Sequence, residues 1–550
     1  MEYPWYQEYD AHVPQTIEQF EYDTLNQIIE KSADQFGAAP AFSNFGTTMG
    51  FSQVNALSTA FAAYLQNFVG LRPGEKVAIM MPNLLQYPIA LYGILKAGYV
   101  VVNTNPQYTA RELEHQLVDS DAKAIIILEN FATTLQKVIT STNVKTVITT
   151  TIGEMLGFPK SLLLNFVIKH VKKMVPPWDI PNTITFSQAL KDGAALNFTP
   201  PAIKSDDIAF LQYTGGTTGV SKGAILTHRN VAANVQQAKS WCGMNDGEEL
   251  AISPLPLYHI FSLTVGFFMT SIGGHSVLIT NPRDFPAFVK ELKKWKFSFI
   301  SGVNTLFAAL LNTPGFDDVD FSRLKISLGG GMAVTHATAE KWIGTTGCVL
   351  LEAYGLSETS PAVCINPISL KEYNGFIGVP IPSTEVAILD DSGDEVPTGE
   401  AGELCVKGPQ VTQGYWQKAE ETQALFTKDG WMRTGDIASI SQQGYVKILD
   451  RKKDMILVSG FNVYPNEVED IIGMNPKVLE VAVIGLPDET CGERVKAFVV
   501  KKDDSLTEEE LIAFCKENLT GYKRPREFEF RTELPKTNVG KILRRSLRPD

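Results

Sequence analysis

Tyr213-Thr-Gly-Gly-Thr-Thr-Gly-Val-Ser-Lys-Gly223 is the stretch around which the rest of the chain reads as arranged. It follows Ile208-Ala-Phe-Leu-Gln212, a short apolar run that reads as a strand, and it precedes Ala224-Ile-Leu-Thr-His228, so a loop between extended segments is expected. Its glycines, Gly215, Gly216, Gly219 and Gly223, let the backbone fold tightly and turn successive N–H groups toward one point, which is how a chain cradles phosphate oxygens. Hydroxyls at Thr214, Thr217, Thr218 and Ser221 add donors, and Lys222 adds a positive charge. A Walker A loop cannot be placed here, because Ser221 stands five residues after Gly216 and Val220 five after Gly215. The plain alternative is a Gly/Thr surface loop; hydroxyls and a lysine gathered directly behind a buried strand favour phosphate binding.

A chain of 550 residues exceeds what one core usually supports, so at least two domains are expected. Hydrophobic residues at 44% and charged residues at 20% place it among soluble globular proteins. A net charge of −12 argues against a nucleic-acid partner, whose phosphates want a basic face. Six cysteines lie far apart with no C-x-x-C pair, so neither a zinc site nor a disulfide framework is indicated, and a reducing cytoplasm fits. The start, Met-Glu-Tyr-Pro-Trp-Tyr-Gln-Glu, has acids and a proline where a signal peptide needs a basic start and an apolar run.

Upstream of the loop, Phe51 to Leu65 repeats apolar residues at helical spacing, and Lys76-Val-Ala-Ile-Met-Met81 reads as the strand that follows. Helices are expected at 86–97 and 111–120, with strands at 100–103 and 124–128. Strands separated by helices of about ten residues are the signature of parallel sheets wrapped in helices, hence α/β architecture. Leu162 to Val175 interrupts the pattern with bulky apolar residues beside Lys169, Lys172 and Lys173. It reads first as an amphipathic helix packed on its own domain with a solvated lysine face. The rival reading is a basic helix lying on an anionic membrane. Ala251 to Pro282 carries no Asp, Glu, Lys or Arg, yet only the 13 residues from Ile260 to Ile272 are uninterrupted. That is too short to cross a bilayer, so a buried helix is expected, one able to wall an apolar cavity beside the loop.

Strands resume at 298–303 and 326–328, the latter ending in Gly329-Gly-Gly-Met332, where backbone must come close to something. Tyr354-Gly355-Leu-Ser-Glu358 follows another strand and reads as an aromatic platform, a glycine turn and a hard-oxygen metal ligand; the alternative is an ordinary surface glutamate. Beyond Ile377 short strands and frequent turns indicate a β-rich subdomain. Asp450-Arg-Lys-Lys-Asp454, a charged junction between apolar runs, reads as a domain boundary. The remainder reads as a small α+β domain, with helices at Pro465 to Gly473 and Glu508 to Asn518, the second opened by a Thr507/Glu510 capping box, and a solvated basic tail.

Taken together and in order, these motifs resemble the adenylate-forming superfamily of acyl-CoA synthetases, luciferases and peptide-synthetase adenylation domains. The bacterial long-chain fatty acid CoA ligase branch is the most similar, through Asp429-Gly-Trp-Met-Arg-Thr-Gly-Asp-Ile437 and Gly444-Tyr-Val-Lys-Ile-Leu-Asp-Arg-Lys-Lys-Asp454. Leu449, where many relatives place Ile, is a minor departure. The resemblance implies a large N-terminal region over 1–449 that binds ATP and fatty acid, with helix-wrapped sheets and a β-rich subdomain, and a small mobile α+β domain over 450–550. It implies two half-reactions: ATP and a long-chain fatty acid give acyl-AMP and pyrophosphate, and coenzyme A then displaces AMP. It further implies that the loop Tyr213 to Gly223, Lys222 included, holds the ATP phosphates and that Thr214 and Glu358 hold Mg²⁺. Gly330, Gly331, Tyr354 and Gly355 would line the adenine and acyl pockets, with Asp436 on the ribose and Arg451 assisting. Lys541 would meet the charge that develops at the α-phosphate, Lys453 would be the hinge, and Gly460 would give room to the pantetheine arm. Two readings stand for His259: a core histidine satisfied by a backbone carbonyl, or a residue near the acyl carboxylate. Rival functions are a medium-chain or aryl acyl-CoA ligase, a fatty acyl-AMP ligase loading a carrier protein, and a catalytically silent binding protein. The expected location is cytoplasmic, with peripheral contact at the inner face of an anionic membrane if the basic helix lies on it, and a homodimer is allowed.

Overall fold

The computed structural model describes residues 3–214, 221–488, 490–537 and 540–548. Gly215, Gly216, Thr217, Thr218 and Gly219 of the glycine-rich stretch therefore lie outside the described residues.

Alternating strands and helices build two mostly parallel sheets. The first has seven strands in the order Ile184–Thr185, Thr146–Thr150, Ala124–Leu128, Lys76–Met80, Val100–Asn103, Ile208–Thr214 and Lys222–Thr227. All neighbours run parallel except the last pair, which is antiparallel. Its inner strands are apolar almost throughout because helices cover both faces. The second sheet has nine strands, with Leu350–Gly355, Ile326–Gly330, Phe299–Gly302, Leu250–Ser253 and His275–Leu278 parallel in a row. One apolar cluster joins the two sheets, from Val77 and Ile126 through to Phe299 and Leu351.

Helix Gln86–Lys96 is buried at every residue, and Ile260–Ser271 nearly so, as an uninterrupted apolar run requires. Among the described residues no helix is long and apolar enough to cross a membrane. The β-rich region is a four-stranded antiparallel sheet of Glu385–Leu389, Gly402–Lys407, Met432–Ile440 and Val446–Arg451. Its last strand continues to Arg451, past the junction expected at 449/450.

In the small domain Pro465–Gly473 and Glu508–Asn518 are helices, and the Thr507 hydroxyl accepts from the Glu510 N–H. Two expectations fail. The C-terminal stretch is not a solvated basic tail: Glu527–Arg531 adds a strand parallel to Gly492–Lys501, and Leu547 is buried. The guanidinium of Arg544 bonds Glu469 at 2.7 Å and stands 3.5 Å from the buried Asp450. Nor does Leu162–Val175 pack as an ordinary amphipathic helix. An α-helix over Lys160–Phe166 passes into a π turn over Val167–Val171, and no residue of either is buried. Asn165 ties the segment down instead, accepting from the Gly153 N–H and donating to the Thr151 hydroxyl.

Arg544→Ala leaves two acids without their cation, a change that costs about 3 kcal/mol for a largely buried pair. Amide exchange in helix Pro465–Gly473 is expected to quicken roughly a hundredfold; unchanged exchange would show that this cluster does not hold the domain.

Candidate functional site

The carboxyl ends of the parallel strands, where ligands bind in sheets of this kind, open into a cavity of about 2410 Å³ that the small domain partly closes. Asp436 lines it. The register of strands Met432–Ile440 and Val446–Arg451 sets Asp436 opposite Arg451, and Arg451 Nε approaches Asp436 Oδ1 to 2.7 Å. The Tyr354 hydroxyl donates to Asp436 Oδ2. Burial and the neighbouring Asp436 charge hold that phenol well above its ordinary pKa, so it stays a donor. A carboxylate has about four lone-pair sites, which leaves capacity for hydroxyls of a ligand.

Toward the glycine-rich stretch, Thr214 and Lys222 are cross-strand partners at the ends of the antiparallel pair. A strand hairpin, rather than the strand-to-helix turn of a Walker A loop, thus carries the stretch. The Lys222 ammonium stands 5.3 Å above the Tyr415 ring and 3.8 Å from Glu421. The Tyr415 hydroxyl in turn donates to Glu358 Oε1 at 2.7 Å, so one tyrosine fixes both charged side chains. Tyr213 lines the cavity, its hydroxyl donates to Asp119 at 2.7 Å, and its ring packs under Gly223, where a Cβ would lie 3.1 Å from it.

Tyr354 and Gly355 end a strand and do not form the turn expected there. Gly355 is required by packing, since a Cβ would sit 1.8 Å from the Pro361 carbonyl oxygen. Gly330 is held likewise between Phe261 and the Ala353 carbonyl, whereas Gly331 takes a left-handed backbone, φ +78°. Glu358 lies in the short 3-10 turn Ser357–Thr359 that follows.

His259 combines parts of its two readings. Its Nδ1 accepts from the Phe261 N–H at the start of helix Ile260–Ser271, so the partner is an amide rather than a carbonyl, and its ring also lines the cavity. Burial, with the Lys541 charge, pushes its pKa down to about 4, so it is neutral near pH 7. Lys541 enters from the small domain. Its pKa falls to about 8, first through burial and then through the Arg451 charge, with Asp436 opposing. The tail that carries it seats on the large region, where a Cβ on Gly540 would lie 2.6 Å from Thr305 Oγ1. Gly460 does not reach the cavity in this orientation; it is the exposed tip of the hairpin Ile456–Val458/Phe461–Val463, φ +84°. Lys453 lies in the exposed turn after Arg451.

Away from the charges the cavity becomes apolar. Ile260, Thr264 and Phe268 face it at four-residue spacing from one helix, and Asn234, Ala238 and Cys242 do so from helix His228–Cys242, above Phe299 and Leu328. Burial pushes the Cys242 thiol up to about 12, so it is an inert wall residue. Sequence reading missed this helix face and Tyr415; neither carries a local motif.

Since kcat/KM reports groups of the free enzyme, a Lys541 needed as a cation makes acyl-adenylate formation fall as pH rises through about 8. Below that value the cation is present and the rate levels off. Lys541→Ala is expected to be slower and to lack this limb; a wild-type profile flat to about pH 9 would remove Lys541 from the chemistry.

Comparison with known proteins bears on the family and the fold. The AMP-binding enzyme family model matches residues 29–416, and the AMP-binding enzyme C-terminal domain model matches residues 467–541. A long-chain-fatty-acid–CoA ligase of Yersinia pestis is 54% identical, with 100% of this chain and 98% of that protein covered. One of Bacillus subtilis (strain 168) is 39% identical over 99% of this chain and 97% of its own. Among solved structures, ATP-bound MatB from Rhodopseudomonas palustris superposes with TM-score 0.81 at 26% identity, covering 96% of this chain and 98% of that one.

Proposed function

The chain belongs to the AMP-binding enzyme family, and from that premise we propose how its residues divide the work of a long-chain-fatty-acid–CoA ligase. The enzyme joins fatty acid to ATP with loss of pyrophosphate, and the thiol of coenzyme A then takes the acyl group from AMP. One observation carries our assignment of residues: a lysine of the small domain lies in the same cavity as the buried Asp436–Arg451 pair and the apolar arm.

The nucleotide's ribose hydroxyls would bond Asp436, with Arg451 holding that carboxylate in place, and its base would lie against Tyr354. Lys222 and the glycine-rich stretch would receive the β- and γ-phosphates. The fatty carboxylate then has one oxygen free to attack the α-phosphorus as the pyrophosphate leaves, and Lys541 neutralises the negative charge gathering there. A preorganised cation aimed at developing charge is worth a few kcal/mol. Neutral His259 sits at the head of the apolar arm, where it can orient the carboxylate without adding charge. The chain itself would run between helices His228–Cys242 and Ile260–Ser271.

The donors present fit magnesium: the hydroxyl of Thr214 and the carboxylate of Glu358 are hard oxygens that both line the cavity. No cluster of three or more His, Cys, Asp or Glu capable of holding a metal occurs among the described residues, as suits an ion that arrives with its nucleotide and takes one or two protein oxygens. When bound, Mg²⁺ would neutralise phosphate charge. For the second half-reaction the small domain would turn about Lys453, withdrawing Lys541 and bringing the Gly460 tip toward the site. We place the enzyme in the cytoplasm, in peripheral contact with the inner membrane face through Leu162–Val175.

Each methylene buried along the arm contributes about 0.8 kcal/mol. Ala238→Phe, filling the arm at mid-depth, is expected to lower kcat/KM for palmitate roughly a hundredfold, as for about four excluded methylenes, and to spare octanoate. Equal loss on both acids, or on neither, would move the acyl chain elsewhere.

A further inference from the structure

The segment 158–174 presents large apolar side chains that nothing among the described residues covers. Phe158 is 85% exposed, Leu162 64% and Leu163 67%, and Phe166, Val171 and Met174 are each at least half exposed. Leu162 and Phe166 stand four residues apart and so lie along one side of the helix, and Phe158 precedes its first turn. A second element joins them. The Lys160 ammonium donates to the Gly46 carbonyl at 2.8 Å, which fastens the β-turn at Phe45-Gly46 beside the helix. Phe45 itself is exposed and takes a left-handed backbone, φ +48°, a conformation rare for a bulky aromatic.

Charge identifies the occupant. From Met155 to Trp178 there is no Asp or Glu, in a chain whose net charge is −12, while Lys160, Lys169, Lys172 and Lys173 fall within that span. Lys169 lies 3.7 Å from Glu129, and Lys172 and Lys173 pair with no carboxylate among the described residues. Aromatic and leucine side chains edged by uncompensated lysines suit the interface of an anionic bilayer, where apolar groups sink below the headgroups and ammonium groups stay among the phosphates.

We infer that the Phe45 turn and the 158–174 segment form one composite surface that docks on an anionic lipid bilayer, with both elements inserting. The inference extends the membrane contact named in the proposed function, and it does not depend on catalysis.

The test is co-sedimentation of the full chain with phosphatidylglycerol/phosphatidylcholine vesicles and with phosphatidylcholine alone. Wild type is expected to prefer the anionic vesicles. Lys172→Glu with Lys173→Glu should weaken that binding at least thirtyfold, as two lysines near an anionic surface imply. Leu162→Ser with Leu163→Ser and Phe166→Ser should weaken binding to both vesicles, and Phe45→Ser alone should weaken it several-fold. Every variant should keep wild-type turnover of dissolved octanoate, since none of these residues lines the cavity; that assay reports folding and tests the ligase reading separately. Wild-type binding by the lysine or the leucine variant would overturn the surface, wild-type binding by Phe45→Ser would overturn its composite character, and equal affinity of the native chain for both vesicles would overturn its choice of anionic lipid.

Discussion

The structure turns on the ion pair of Asp436 and Arg451. Asp436 and Arg451 face each other across an antiparallel ladder, with Asp436 almost wholly removed from water. The Asp436 charge could not remain there without Arg451, because an unpaired buried charge costs several kcal/mol. Arg451 is also the last residue of its strand, so the pair fixes the point at which the chain leaves the large region for the small domain. The same pair holds the Tyr354 hydroxyl and acts on Lys541 with both signs, Arg451 repelling it and Asp436 attracting it. The proposed nucleotide site, the chain exit and Lys541 therefore meet at one contact.

That coupling bears on the proposed movement of the small domain. Lys541 is held in a place unfavourable to its charge, beside Arg451 and with little water, and an anionic substrate would relieve this cost. Asp450 is in a similar position. It is fully buried, burial pushes its pKa up to about 6 against the pull of Arg544, and it accepts from the Asn466 N–H at 2.7 Å. With the proposed hinge at Lys453, Asp450 belongs to the large side, whereas Arg544 and Asn466 belong to the small one. These contacts would part on rotation, so the orientation seen here is stabilised by bonds that the second orientation lacks.

Much of the fold was legible because hydrophobic period and punctuation agree. Pro465 opens its helix, and the charge-free run at Ile260 is buried as its composition demands. Charge and periodicity misled elsewhere. The alternation Glu527-Phe-Glu-Phe-Arg531 is a strand pattern, but it lies in a stretch whose basic residues suggested a solvated tail. Helical spacing over 162–175 shows that an apolar face exists and says nothing about whether anything covers it. Within the site, Asp436 and Arg451 were legible through family resemblance alone, because antiparallel register is a property of the folded ladder. Tyr415 carries no motif and meets Glu358 from 57 residues away. The face of Ala238 and Cys242 lines the cavity together with residues of helix Ile260–Ser271, a tertiary pairing that no local pattern announces.

The central claim is that one site serves two half-reactions by exchanging two faces of the small domain. A Cβ on Gly540 would lie 3.9 Å from the Cβ of Thr305, within the range a disulfide spans. Joining Thr305→Cys to Gly540→Cys should lock the small domain in the orientation seen here. The measurement is of both half-reactions, oxidised and then reduced. The account predicts that the oxidised enzyme keeps pyrophosphate exchange with ATP and fatty acid but makes no acyl-CoA from supplied acyl-AMP, and that reduction restores the thioester step. Acyl-CoA formation by the locked enzyme at the reduced enzyme's rate would contradict it.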